Sequence, residues 1–225
     1  MRNHILSLFM VTTIAFGQNA KEIAKKCISS TVSITMEDKY KQPLSLGSGF
    51  IIEDGKIITN VHVIENASYG YVKISGEEEK YKIEGYTAID RANDLVLLSV
   101  PTLNGSPLEL NTSTPEIGEK IYAIGNPKGL SGTISEGIIS SIRKLSTYEL
   151  VQITAPISPG SSGGPVLDNN GKLIGVAVGA IEAGQNLNFA IPAIYVANLT
   201  SKQSQFNILN IKSAITPKPN AKAQV

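Results

Sequence analysis

An all-β fold, a barrel or a sandwich, is what the sequence predicts, and three observations carry that reading. About a dozen short runs rich in apolar and β-branched residues lie between residues 31 and 190, separated by Gly, Pro, Asn, Asp and Ser. No amphipathic stretch of ten or more residues interrupts them, which argues against βαβ units. The chain has 225 residues, 42% apolar and 17% charged, enough for a core and unlike a disordered or fibrous composition.

The elements follow in chain order. Arg2, the apolar stretch from Ile5 to Phe16 and the small residues Ala15 and Gly17 form a secretory signal-peptide pattern over residues 1–17. That stretch is shorter than the roughly 20 residues of a membrane helix. The expectation is therefore an exported chain, periplasmic or extracellular, with no stable membrane insertion after cleavage; an uncleaved anchor or an intracellular start is the alternative. Cleavage would remove His4 and leave His62 as the only histidine. Ala20 to Ser30 sets Ile23, Ala24, Cys27 and Ile28 on one helical face, with Cys27 as a small buried apolar residue. Strands are expected at Thr31–Met36, Gly49–Ile52, Lys56–Thr59, Tyr71–Ser75, Tyr81–Ile89 and Leu95–Val100. A second set follows at Lys120–Ile124, Thr133–Ile142, Leu150–Thr154, Pro165–Leu167, Leu173–Val178 and Asn188–Ala190. Asp54-Gly55, Asn104-Gly105 and Asn169-Asn170-Gly171 supply turns. A late helix is expected from Pro192 to Gln203, and the Lys- and Pro-containing tail, residues 206–225, has too little to bury to be ordered.

Charge and composition exclude several functions. Lys plus Arg number 20 against 19 Asp plus Glu, so no electrostatic footprint for nucleic acid exists. Two His and one Cys cannot fill a Cys/His zinc site, and one Cys cannot close a disulfide within the chain. Neither a metal nor an organic cofactor is expected.

The sharpest local signal is Ser158-Pro159-Gly160-Ser161-Ser162-Gly163-Gly164-Pro165. Within it, Gly160 to Gly164 satisfies the G-x-S-x-G elbow of α/β-hydrolases, but that fold requires a His after the Ser, and none follows Ser162. The order His…Asp…Ser is present instead, as His62 at the end of an apolar strand, Asp94 ahead of another, and Ser162 in the Gly/Ser loop. A serine hydroxyl is a weak nucleophile and needs an adjacent base, which His62 can be, with Asp94 holding the imidazole tautomer. The N–H groups of Gly160 and Ser162 are candidates for an oxyanion hole, where losing one donor typically costs about 10²–10³ in rate.

The chain resembles trypsin-like serine proteases of the HtrA/Deg type. The resemblance rests on Gly47–Ile52, Thr59–Ile64, Asn93–Leu97, Ala123–Pro127, Ser135–Ser140, the Ser162 loop and Asn188–Pro192, in that order along the chain. It implies a protease domain over residues 18–205, with two six-stranded antiparallel β-barrels at about 30–105 and 115–192. His62 and Asp94 would lie on the first barrel and Ser162 on the second. No PDZ domain is expected after the last helix. Ser161 stands where digestive zymogens of this fold carry an Asp, so activation by pairing with a new N-terminus has no partner here. In this fold the residue six before the nucleophile floors the specificity pocket, here Pro156. With Ile157, Asn188, Phe189, Ala190 and Ile191 as walls, the resemblance implies small or medium aliphatic side chains before the scissile bond. It also implies an extended protein or peptide substrate lying beside Asn188–Ala190. A homotrimer is common in the family, although nothing in residues 18–35 decides it. A latent or non-catalytic peptide-binding module on the same fold is the alternative, because fold alone does not establish activity.

Overall fold

The computed structural model describes residues 20–127, 132–145, 148–180, 187–203 and 206–208. The expected leader and tail residues 209–225 lie outside them. Helix α1 (Ala20–Cys27) runs into a 3₁₀ turn (Ile28–Ser30). Then come β1 (Thr31–Glu37), β2 (Pro43–Glu53), β3 (Lys56–Thr59), α2 (Val61–Ile64), β4 (Tyr69–Ile74), β5 (Tyr81–Lys82), β6 (Gly85–Asp90) and β7 (Leu95–Ser99). The second half holds β8 (Lys120–Gly125), β9 (Thr133–Lys144), β10 (Glu149–Ile153), β11 (Pro165–Leu167), β12 (Leu173–Ala180), β13 (Asn188–Pro192), α3 (Ala193–Thr200) and β14 (Asn207–Ile208).

Six strands of the second half close into a barrel in the order β10-β13-β12-β11-β8-β9. The first half forms a sheet in the order β14-β6-β7-β3-β2-β1-β4-β5. Its ring is completed by the segment 81–90, of which Tyr81–Ile89 was expected as one strand. The Ile83 N–H still bonds Gly70 O on the β4 side at 3.0 Å, while the Glu84 N–H bonds Ser99 O beside β7 at 2.9 Å. One segment thus changes neighbours midway and joins both ends of the sheet. The two-barrel expectation holds. The tail expectation does not hold at Asn207 and Ile208, which pair with Tyr86 and Gly85 of β6 as an added edge strand.

Three apolar clusters explain why the strands read as runs rather than as clean alternation. Val32, Ile34, Ile57, Val96 and Leu98 fill the first barrel, while Ile121, Ala123, Val151, Ile153 and Val166 fill the second. Their neighbours in sequence point outward, yet Phe50, Ile58, Leu95, Leu97, Tyr122, Ile124, Leu167 and Val176 are buried as well. The outer face of each barrel is covered by the other barrel and by α1 and α3, so both faces of β3, β7 and β8 are apolar. Full burial of each Leu or Ile there stabilises the fold by about 1.5–3 kcal/mol. Cys27 is fully buried in this layer, as expected, and burial pushes its thiol pKa up, which keeps it neutral and unreactive. No helix among the described residues is long and apolar enough to cross a membrane.

Candidate active site

The cleft between the barrels is assembled from one turn of the first and one loop of the second. β3 ends at Thr59, Asn60 keeps an extended backbone (φ −83°, ψ 149°), and the chain then coils into α2. His62 therefore sits on the first turn of a short helix rather than at a strand end. Four residues are too few for a helical period to show in sequence. The turn persists because Asp94 satisfies its leading amides. The Asp94 carbonyl accepts the Val61 N–H at 3.2 Å and Asn60 Nδ2 at 2.9 Å, and its Oδ1 accepts the His62 N–H at 3.0 Å.

The same carboxylate holds the imidazole, with Oδ2 2.6 Å from His62 Nδ1. A carboxylate only accepts, so the proton resides on Nδ1 and Nε2 is left as the acceptor. Asp94 takes a left-handed backbone (φ +52°), which Asp tolerates better than most residues. Asp90 supports that turn by accepting the Asn93 N–H at 3.0 Å and Asn93 Nδ2 at 2.7 Å. Both members of the pair remain partly open to solvent, at 42% and 35% side-chain exposure.

On the second barrel, the Ser161 N–H bonds Ser158 O at 2.9 Å and closes a four-residue turn. Pro159 at its second position and Gly160 (φ +96°) at its third make it type II, a geometry that needs positive φ at the third residue. Beyond it, Ser162 O accepts the Ser48 N–H at 2.9 Å, and the Gly163 N–H bonds Ala177 O at 2.8 Å. Gly163 has φ +84°, and a Cβ there would lie 2.2 Å from Thr59 Oγ1 and 2.3 Å from Ser48 O. The same Cβ would lie 3.2 Å from the Asn60 nitrogen, so the serine loop seats directly against the residues that lead into His62. Among the described residues no acceptor takes the N–H of Gly160 or of Ser162. No hydrogen bond among them joins Ser162 to His62. Ser162 Oγ lies toward β12, where a Cβ on Gly179 would be 3.3 Å away.

The residues expected to contact substrate are placed unequally. Pro156 is exposed, and its carbonyl accepts Ser135 Oγ at 2.8 Å. Ile157 and Ala190 belong to the core of the second barrel, and Ile191 to the layer between barrels. Asn188 is buried and donates Nδ2 to Ala155 O at 2.9 Å, while Phe189 is 7% exposed. The strand Asn188–Ala190 offers no free edge for a peptide. It pairs with Val151–Ile153 of β10 on one side and with β12 on the other. Among the described residues, the edge with a strand partner on one side alone belongs to β12 instead. β11 pairs with β12 only as far as Val176, and the Gly163–Gly164 bonds extend the contact to Ala177. Val178–Ala180 then continue past Ser162 with β13 as their only strand neighbour among the described residues. A glycine inside a strand run marks such an irregularity, and the register does shift between Ala177 and Ala180. Ser48 and Asn60, which organise the site, carried no chemical signal of their own in sequence beyond lying in the quoted blocks.

The chain belongs to the family described as the trypsin-like peptidase domain, which its residues 47–176 match. It is 34% identical to the mitochondrial serine protease HTRA2 of Drosophila ananassae, over 78% of this chain and 45% of that protein. It is also 34% identical to the anti-sigma-I factor RsgI9 of Acetivibrio thermocellus, over 81% of this chain and 26% of that one. Among solved structures, the serine endoprotease from Yersinia pestis shares its fold with a TM-score of 0.72 at 28% identity, over 81% of this chain and 65% of that chain. The chain thus spans less than half the length of these curated relatives.

Proposed function

We propose that this protein is a serine endopeptidase that hydrolyses peptide bonds in unfolded or extended protein segments, using Ser162 as nucleophile, His62 as general base and acid, and Asp94 as the group that orients His62. The observation that carries the reading is the Asp94 carboxylate at 2.6 Å from His62 Nδ1, which leaves Nε2 as the acceptor for the serine proton. In the reaction, Ser162 Oγ attacks the carbonyl carbon while His62 Nε2 takes its proton. The Gly160 and Ser162 N–H groups bind the resulting oxyanion. Collapse expels the amine, which takes the proton from His62, and water then repeats the sequence to free the acyl group. Apo geometries of this kind are often long and tighten only with substrate.

The substrate lies extended along Val178–Ala180, bonded through its main chain, a mode that tolerates many sequences. No Asp or Glu occurs in 154–161 or 187–192, so a Lys or Arg before the scissile bond finds no carboxylate there. Small or medium aliphatic side chains, Val, Ala or Leu, are the preferred class. The leader-like residues 1–17 support export, and protein substrates are its partners. A latent resting form is favoured by one observation, that no hydrogen bond among the described residues joins Ser162 to His62.

Digestion of a denatured protein, with the cut sites mapped by mass spectrometry, tests this reading. Cuts that follow Val, Ala or Leu and vanish in Ser162→Ala support it. Cuts dominated by Arg, Lys or acidic residues overturn the pocket, and cleavage that survives Ser162→Ala overturns the mechanism. A lag abolished by pre-incubation with unfolded protein identifies the latent form.

A further inference from the structure

We propose that Ser48, a fully buried serine on β2 of the first barrel, is a positioning residue for the oxyanion-binding loop of the second; this rests on the endopeptidase reading above. Ser48 touches that loop through two separate groups. Its N–H donates to Ser162 O at 2.9 Å, and its hydroxyl donates to Gly160 O at 2.7 Å. The residues whose carbonyls it holds are the two whose N–H groups would bind the oxyanion. With both carbonyls bonded to one residue of a rigid strand, the loop has a fixed seat on the first barrel and its free amides keep a fixed separation.

The hydroxyl is itself aimed from the other side. It accepts the Asn126 N–H at 2.8 Å, so its single proton is directed to Gly160 O. Asn126 stands just past β8 and is 1% exposed. Its Oδ1 accepts Ser75 Oγ at 3.1 Å and the Gly132 N–H at 2.9 Å. The Ser48 carbonyl accepts Thr59 Oγ1 at 2.7 Å, which fixes its backbone too. A buried, mutually satisfied network of this kind holds its members in one arrangement, and removing the hydroxyl leaves Gly160 O and the Asn126 N–H without their partner.

A donor pair that acts on a charge formed only in the transition state affects kcat rather than KM. The test compares wild type with Ser48→Ala and with Ser48→Cys, which keeps the volume but donates weakly. It reads kcat and KM on a peptide substrate and the second-order rate of fluorophosphonate labelling. The expected result is a fall of about 10-fold to 100-fold in kcat and in labelling rate, with KM within about two-fold, and substantial recovery in Ser48→Thr. Thermal melting and the labelled fraction at completion separate this from unfolding, which lowers the amplitude instead of the rate. If Ser48→Ala fails to fold, Ser48→Cys carries the comparison. A folded variant that labels at the wild-type rate, or one whose defect is confined to KM, overturns the proposal. Wild type that never labels overturns the endopeptidase reading itself, a different outcome.

Discussion

The two halves of the cleft are held by opposite means. On the first barrel, Asp94 gives its carbonyl and both carboxylate oxygens to Asn60, Val61 and His62, so the half-site depends on polar side chains being present. On the second, Gly160, Gly163 and Gly164 let the main chain of the Ser162 loop seat closely against Ser48, Thr59 and Ile124, so that half depends on side chains being absent from the loop's glycines. The difference teaches which changes each half tolerates. Isosteric replacement should spare the fold of the first half while altering its chemistry, whereas a single methyl group should displace the second.

The largest expected effect tests the first half. Asp94→Asn keeps an amide oxygen for the His62 N–H, so the fold and melting temperature survive. The amide presents the wrong partner to Nδ1, and kcat/KM on a peptide substrate is expected to fall by about 10⁴. A fall of less than ten-fold would show that Asp94 only caps α2. Next comes Gly163→Ala, which adds a Cβ against Thr59 Oγ1 and Ser48 O at a backbone angle that L-residues avoid. Urea unfolding is expected to show a loss of about 2–5 kcal/mol, and no labelling of Ser162 in the molecules that remain folded. An unchanged midpoint would mean that the loop is not seated on the first barrel as described.

Asn60→Ala is the smallest. It removes one bond to Asp94 O, and the buried Asn60 Oδ1, which has no partner among the described residues, leaves with it. A stability loss of about 1 kcal/mol is expected, with kcat within a few-fold of wild type. A loss of more than ten-fold in kcat would assign Asn60 a part in aiming His62.

How much of this was legible in sequence follows from the range of the interactions. The barrel strands were, because each carries its own apolar residues, and Lys56–Thr59 and Pro165–Leu167 match to the residue. The pairing of His62 with Asp94 was legible as two residue types in the order His…Asp…Ser, and the structure brings those two together at 2.6 Å. The helical turn under His62 was not, since its stability comes from Asp94, 32 residues away. The pairing of Asn207–Ile208 with β6 was not, because two residues carry no period and depend on an edge formed elsewhere. The expectation of a substrate strand beside Asn188–Ala190 missed that this strand is paired on both sides, because strand order around a barrel is a long-range property. Ser48 was hidden for the same reason, as its partners lie 78 and 112 residues away.

The most direct measurement is fluorophosphonate labelling of the purified protein, read by intact mass and by mapping of the labelled peptide, with Ser162→Ala and His62→Ala alongside. One adduct is expected, on Ser162, absent in Ser162→Ala and slowed by at least about 10³ in His62→Ala. An adduct on another residue, a His62→Ala variant that labels at the wild-type rate, or folded wild type that stays unlabelled even with unfolded substrate present, would contradict it.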